Sequence, residues 1–145
     1  MHYQLNTYID LASDQGALPH LLVAAALRNK HPETFLLLGT KVFPNDGKPP
    51  EVDIFGVCNG EVLAGEVKTK AADFTDDQIA RDTELSHRLG ADTHLLAAVD
   101  EVPVEVVANA QQACDRLGLK LMILQKADLR PGMAFTTTRA NRSQR

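Results

Sequence analysis

The dipeptide Asn59-Gly60 separates two segments, residues 51–58 and 61–69, in which apolar residues recur at alternate positions. Asn-Gly between such segments is the strongest short-range signal for a β-hairpin, because both residues of a two-residue turn adopt positive φ. The alternation is typical of β-strands, whose successive side chains point to opposite faces. These residues therefore predict two antiparallel strands joined by a tight turn.

The turn also fixes which residues of the two strands face each other. If Cys58 pairs with Glu61, each step away from the turn pairs the next two residues, and Asp53 falls opposite Glu66. Strict alternation of side chains then predicts one shared polar face. The residues on that face are Glu51, Asp53, Glu66 and Lys68.

Asp53 and Glu66 would be like charges directly opposite each other, which destabilises a sheet unless something offsets the repulsion. A divalent cation does so, since Mg²⁺ binds carboxylate oxygens and leaves positions for water and a phosphate. Lys68, two residues beyond Glu66, reaches the same centre. The alternative is a surface hairpin whose acids are balanced by Lys68 and Lys70. Apolar residues on both faces of the two strands favour the metal site.

The segments Glu51-Val52-Asp53 and Glu66-Val67-Lys68 resemble the metal-binding core of the PD-(D/E)xK, or restriction-endonuclease-like, nuclease superfamily. The nearest likeness is to archaeal Holliday-junction resolvases, in which the hairpin is followed by a helix that carries a glutamine. It covers residues 52 to about 98, and the N-terminal third of the chain does not share it.

The resemblance implies a role for each matching residue. Asp53 and Glu66 would bind Mg²⁺ or Mn²⁺, with the backbone carbonyl of Val67 as a further ligand. Lys68 would assist the attacking water, and Gln78 would project toward the metal from the start of its helix. In that family phosphodiester bonds are hydrolysed, so the resemblance implies a hydrolase.

The match to the superfamily departs from the usual pattern upstream. Pro50 does not directly precede Asp53, because two residues intervene. Many members also supply an acid from the first helix, and three candidates stay open here: Asp10, Asp14 and Glu33.

Gln78 has a second interpretation that needs no active site. Thr75 is a good N-cap residue, and a glutamine three positions later completes a capping box. Both interpretations stay open.

The order of predicted elements indicates an α/β fold. Two helices (5–14 and 18–30) and a strand (34–43) precede the hairpin. Helix and strand then alternate twice, at 76–89, 93–99, 103–117 and 119–125. Because such alternation implies parallel crossovers, we expect a mixed central sheet, an antiparallel meander plus parallel crossover strands, flanked by helices and restriction-endonuclease-like.

Length and composition fit one domain. With 145 residues and 44% hydrophobic content the chain can bury its own core, and we assign residues 1–130 to a single nuclease-like domain. Residues 131–145 form a basic C-terminal tail with three arginines and no acid.

The net charge of −4 argues against tight DNA binding by this chain alone, since binding requires cations that neutralise phosphates. We expect weak DNA binding, assisted by a homodimer or a partner protein. The segment 21–27 is apolar around the whole helix circumference, which predicts either a helix buried in the core or a dimer or docking surface.

Two features favour a cytoplasmic protein without membrane contact. No apolar run approaches the roughly 18 residues of a membrane span, and no signal-peptide pattern opens the chain. Cys58 and Cys114 lack metal-ligand spacing and read as reduced packing thiols.

The sequence thus predicts a divalent-metal-dependent endonuclease that hydrolyses DNA, branched or flap DNA included, as a domain or subunit of a larger assembly. The alternative is a catalytically inactive, nuclease-like scaffold or interaction module. DNA and RNA are not distinguished. A third class is the small-molecule-binding α/β domain. Neither of the nucleotide-binding motifs GxGxxG and GxxxxGK[ST] is present, which argues against nucleotide binding of that kind.

Overall fold

The computed structural model describes residues 17–42 and 49–130. Five strands form one sheet in the order β1-β2-β3-β4-β5. The strands are β1 (Phe35–Lys41), β2 (Glu51–Cys58), β3 (Glu61–Lys68), β4 (Thr93–Ala98) and β5 (Lys120–Leu124). The helices are α1 (Ala17–Lys30), α2 (Asp76–Arg88) and α3 (Val104–Leu117), with a short 3₁₀ helix at Ala71–Asp73.

The sheet is mixed, as the sequence predicts. β1, β2 and β3 pair antiparallel, whereas β3 with β4 and β4 with β5 pair parallel. A two-residue turn suffices between antiparallel neighbours, but parallel neighbours need a long crossover, which α2 and α3 provide. The predicted α/β class with an antiparallel meander and parallel crossover strands is therefore confirmed.

The Asn59-Gly60 hairpin has the predicted turn and register. Asn59 has φ 53° and Gly60 has φ 77°, the positive values that a two-residue turn of this kind requires. Cys58 pairs with Glu61, and the ladder continues in the predicted register to Ile54 and Gly65.

Helices cover both faces of the sheet and divide the core into clusters. On one face, Val23 and Leu27 of α1 pack with residues of β2, β3 and β4 that include Ile54 and Leu95. On the other, Ile79 of α2 and residues of α3 pack against β4 and β5. This sandwich buries all six residues of β4, the middle strand of the parallel part.

Of the two alternatives for residues 21–27, complete burial in the core is wrong, since Leu21 is 55% exposed and the buried side chains lie along one stripe of α1. The alternative of a dimer or docking surface stays a prediction. The apolar residues on both faces of the hairpin predict core on each side, but Val57 is 42% exposed, because α2 packs over β3 and leaves β1 and the outer end of β2 uncovered. Phe35 and Leu37 on β1 are exposed as well.

Several sequence predictions fall outside the described residues. They are helix 5–14 with Asp10 and Asp14, the end of the first predicted strand at residue 43, and the basic tail 131–145. In the described part of the chain, none of the helices combines the length and the apolar character that crossing a membrane requires.

Candidate active site at the end of the hairpin

The regular alternation of β2 breaks at Asp53. Val52 packs in a cluster with Ala64 that includes Leu85 of α2, whereas Ile54 packs in the cluster of α1. Strict alternation would place Val52 and Ile54 on the same face. The two strands separate at this point, and the β2–β3 ladder ends at the pair of Ile54 and Gly65.

Beyond the last ladder pair, the carboxylate of Asp53 provides the acceptor for a backbone N–H of β3. Its Oδ2 accepts a hydrogen bond from the backbone N–H of Val67 at 2.9 Å, which satisfies a donor that a regular ladder would pair with a carbonyl of β2. The same oxygen lies 3.4 Å from Nε2 of His20 on α1. The prediction of one shared polar face therefore fails in detail, because Asp53 reaches toward α1 while the side chain of Glu66 lies toward α2.

These contacts set the charge state of Asp53. Burial acts to raise the pKa of Asp53, but the hydrogen bonds from His20 and Val67 outweigh it and lower the pKa below its ordinary value. The hydrogen bond to Asp53 in turn raises the pKa of His20, against the opposing effect of burial. His20 and Asp53 therefore stabilise each other as an ion pair.

Glu66 lies next to a position where β3 and β4 come unusually close. A Cβ at Gly65 would stand 2.0 Å from the backbone oxygen of Leu95, so glycine is required directly before Glu66. Glu66 Oε1 accepts a hydrogen bond from Lys68 Nζ, the two side chains being on the same face of β3. Both are half-buried at the C-terminal end of the strand.

Burial and two neighbouring acids raise the pKa of Glu66. Burial is the largest effect and raises the pKa of Glu66 to about 7; the Lys68 ammonium opposes it, and the charges of Asp53 and Asp82 add to the rise. Burial likewise raises the pKa of Asp82 to about 6. Three carboxylates thus lie near two cationic groups, the Lys68 ammonium and the His20 imidazolium that pairs with Asp53.

The side-chain amide of Gln78 lies between Lys68 and the backbone carbonyl of Asp73. A carbonyl accepts and an ammonium donates, so the amide nitrogen donates to Asp73 O at 3.2 Å and the amide oxygen accepts from Lys68 Nζ at 2.9 Å. The opposite orientation donates to Glu66 Oε1 at 3.3 Å but sets the amide oxygen against the Asp73 carbonyl. We therefore assign the first orientation.

Only the Thr75 half of the predicted capping box forms, and the Gln78 side chain lies at the site. The backbone N–H of Gln78 donates to the Thr75 hydroxyl at 3.3 Å, which caps α2. Its side chain does not fold back on the cap but points to Lys68, on the same side of the sheet as Glu66.

The structure brings together the predicted residues Asp53, Glu66, Val67, Lys68 and Gln78, and it adds two that the sequence analysis missed. Glu33, the one described member of the three candidate upstream acids, is exposed after the end of α1. His20 supplies the contact from the first helix instead. Asp82 follows Gln78 by four residues on α2, and this spacing on one helix face was a signal in the sequence.

Carboxylate oxygens, such as those of Asp53 and Glu66, are the ligand type that hard divalent cations prefer. Among the described residues, neither Oδ1 of Asp53 nor Oε2 of Glu66 accepts a hydrogen bond, so one oxygen of each carboxylate is free. Within residues 17–42 and 49–130, however, no group of three or more His, Cys, Asp or Glu side chains is arranged to hold a metal ion. A cation would thus rely on two carboxylates, the Val67 carbonyl and water.

No family profile matches this chain, and no curated protein matches it. Among solved structures, the chain is similar to protein VC1899 from Vibrio cholerae, with 21% sequence identity and a TM-score of 0.51. The match covers 77% of this chain and 29% of VC1899, so the chain spans less than a third of that protein's length. At this identity the likeness shows a shared fold and carries no conclusion about activity.

Proposed function

We propose that this protein is a divalent-metal-dependent nuclease that hydrolyses phosphodiester bonds. The observation that carries the proposal is the placement of Asp53, Glu66 and Asp82 around Lys68 at the end of β3, where Glu66 contacts Lys68 and Asp53 contacts His20. Three partly buried carboxylates beside two cationic side chains favour a further cation, and perturbed pKa values of this kind are typical of functional sites.

Asp53 and Glu66 would hold Mg²⁺ or Mn²⁺ through their free oxygens, with the Val67 carbonyl as a further ligand. When bound, the ion supplies a Lewis acid for the phosphate and lowers the pKa of a coordinated water. The hydrogen bonds from Val67 and His20 fix the orientation of the Asp53 carboxylate. They also keep it ionised, the state that binds a cation.

Lys68 would act on the reacting phosphate and its attacking water. Its ammonium is held between Glu66 and the Gln78 oxygen. Burial acts to lower the pKa of Lys68, but the hydrogen bond and charge of Glu66, with the charges of Asp53 and Asp82, together outweigh it and raise the pKa. A fully charged ammonium stabilises negative charge that develops on a phosphoryl oxygen. Gln78 is a positioning residue in this scheme, because it contacts Lys68 rather than the substrate.

The second candidate is a nuclease-like scaffold without activity. It is favoured by the lack, in the described ranges, of three ligating side chains arranged for a metal. We place it second because a scaffold has no need to bury three carboxylates beside only two cationic side chains, Lys68 and His20.

We further propose that the chain acts in the cytoplasm, as a domain or subunit of a larger assembly. Its two cysteines, Cys58 and Cys114, are buried and free, as is usual in reducing compartments. Its span of less than a third of VC1899 fits a domain of a longer protein. An acidic chain also needs help to hold a polyanion, so DNA binding is expected to be weak without a homodimeric or other partner.

The test is a Mn²⁺-dependent and Mg²⁺-dependent cleavage panel of branched DNA, duplex DNA, single-stranded DNA and RNA. Wild-type protein should cut at least one substrate, and Asp53→Asn and Glu66→Gln should lose cleavage together with cation binding measured by calorimetry. Wild-type protein that binds neither cation and cuts nothing, also alongside its natural partner, would leave the scaffold as the function.

A further inference from the structure

A groove beside the candidate active site runs between the start of β2 and the outer surface of α2. It is an open depression with a volume of about 650 Å³. Three residues, Pro50, Ala80 and Leu85, form its apolar wall. We call this depression the β2–α2 groove.

The β2–α2 groove borders the candidate active site. A narrow cleft of about 10 Å³, lined in part by Gly65 and Glu66, shares Glu51, Asp82 and Leu85 with the groove. The cleft has room for about one water molecule, so the groove and the candidate catalytic residues are neighbours that share lining side chains.

Arg81 and Arg88 line the groove on the α2 side. They are seven residues apart, so they lie on the same helix face with about 10.5 Å between them along the axis. Both are exposed, and neither forms an ion pair with another described residue. Guanidinium groups bind phosphates in bidentate fashion and stack on bases, so this pair can contact a nucleic-acid strand at two points.

The groove also carries the acids Glu51, Asp82 and Glu84. Three acids outnumber two arginines, so the groove does not attract a polyanion from a distance. Binding must rest on direct contacts to Arg81 and Arg88, and removing the two arginines should then have a large effect.

We propose that the β2–α2 groove binds a single-stranded segment of nucleic acid, with Arg81 and Arg88 on its phosphates and the apolar wall against its bases. Unpaired nucleotides expose their bases to such a wall, whereas a duplex keeps them stacked inside. The inference rests on the proposed function, because the groove borders the residues that are proposed to cleave the strand. It adds that the substrate has an unpaired stretch beside the cleavage point.

The experiment measures binding of short fluorescent oligothymidine, oligouridine and a blunt duplex by anisotropy with Mn²⁺ present. A Lys68→Ala background prevents cleavage during the measurement. Arg81→Ala/Arg88→Ala should weaken single-strand binding at least about tenfold, since each charged contact contributes strongly. The slope of log affinity against log salt should shrink by about 1.4, which is two phosphate contacts at about 0.7 each.

The matched control is Arg28→Ala/Arg116→Ala, which removes the same charge from exposed positions on α1 and α3 outside the groove. Circular dichroism checks that both double variants fold. Binding that is equally weak in the control, duplex binding as tight as single-strand binding, or no measurable binding of any oligonucleotide would each overturn the inference. Oligothymidine against oligouridine shows whether the strand is DNA or RNA.

Cleavage by proteins that retain Lys68 separates this inference from the proposed function. If Arg81 and Arg88 control binding but no divalent-dependent cleavage occurs, the proposed nuclease function is wrong and the inference about the groove is supported. If cleavage occurs and Arg81→Ala/Arg88→Ala changes neither cleavage nor binding, the inference about the groove is wrong and the proposed nuclease function is supported.

Discussion

The carboxylate of Asp53 accepts a hydrogen bond from the backbone N–H of Val67 at 2.9 Å, at the point where the β2–β3 ladder ends. One side chain thus closes the end of the β2–β3 ladder, and the proposed function assigns its second oxygen to the cation. The Asp53 carboxylate therefore has a structural role and a proposed metal-binding role. Variants of Asp53 separate the effect on stability from the effect on cation binding.

Asp53→Ala should destabilise the fold by about 1–3 kcal/mol, because it leaves the buried N–H of Val67 without an acceptor. Asp53→Asn retains an acceptor oxygen and should lose less stability while losing most Mn²⁺ affinity. Urea unfolding and calorimetric titration measure the two effects. Asp92→Ala is the matched control, since Asp92 accepts from the backbone N–H of Val62 at 2.8 Å elsewhere in β3, and it should leave Mn²⁺ binding unchanged. Equal Mn²⁺ affinity in Asp53→Asn and wild type would contradict the metal role.

Lys68→Ala should reduce cleavage about 100-fold or more while Mn²⁺ still binds, because the ammonium stabilises charge on the reacting phosphate and is not a ligand. Single-turnover cleavage and Mn²⁺ titration measure the two properties. Lys70→Ala, at an exposed neighbouring position, tests the alternative in which both lysines only balance acids. Similar small effects of the two substitutions would favour that alternative.

Glu66 should make the metal-free protein less stable as pH rises. Its pKa is about 7 in the folded protein against an ordinary value of 4.5, so its contribution is full below about pH 4.5 and is lost as pH rises through 7. The loss is on the order of 3 kcal/mol. Glu66→Gln should flatten this part of the profile in thermal melts without metal, whereas Glu84→Gln, at an exposed position on α2, should not. A wild-type profile that rises between pH 5 and 8 would contradict the assignment.

His20→Ala should cost stability at acidic pH and little at alkaline pH. The Asp53 hydrogen bond raises the pKa of His20, so the ion pair is fully formed below pH 6.5 and is lost as pH rises through the raised value. We expect about 1 kcal/mol at pH 5.5, from urea unfolding. His87→Ala, at an exposed position near the end of α2, is the control. A loss of the same size at pH 9 would mean that His20 acts through packing and not through charge.

Local signals in the amino-acid sequence were enough to predict the hairpin and the order of helices and strands. Asn59-Gly60 set the turn and the hairpin register, because positive φ at two adjacent residues is possible for few dipeptides. The alternation of helix and strand after residue 75 determined the parallel half of the sheet, since such connections need a crossover. These local signals alone put Asp53, Glu66 and Lys68 on neighbouring strands.

The contacts among these side chains depend on how the helices pack on the sheet. The break in alternation at Asp53 depends on α1 and α2 packing on opposite faces of the sheet, and periodicity within one strand carries no trace of it. His20 and Asp82 join the site because those helices pack beside β3, through contacts between residues far apart in the sequence. The raised pKa of Glu66 has the same origin, because burial is a property of the packed molecule and not of the segment that carries the residue.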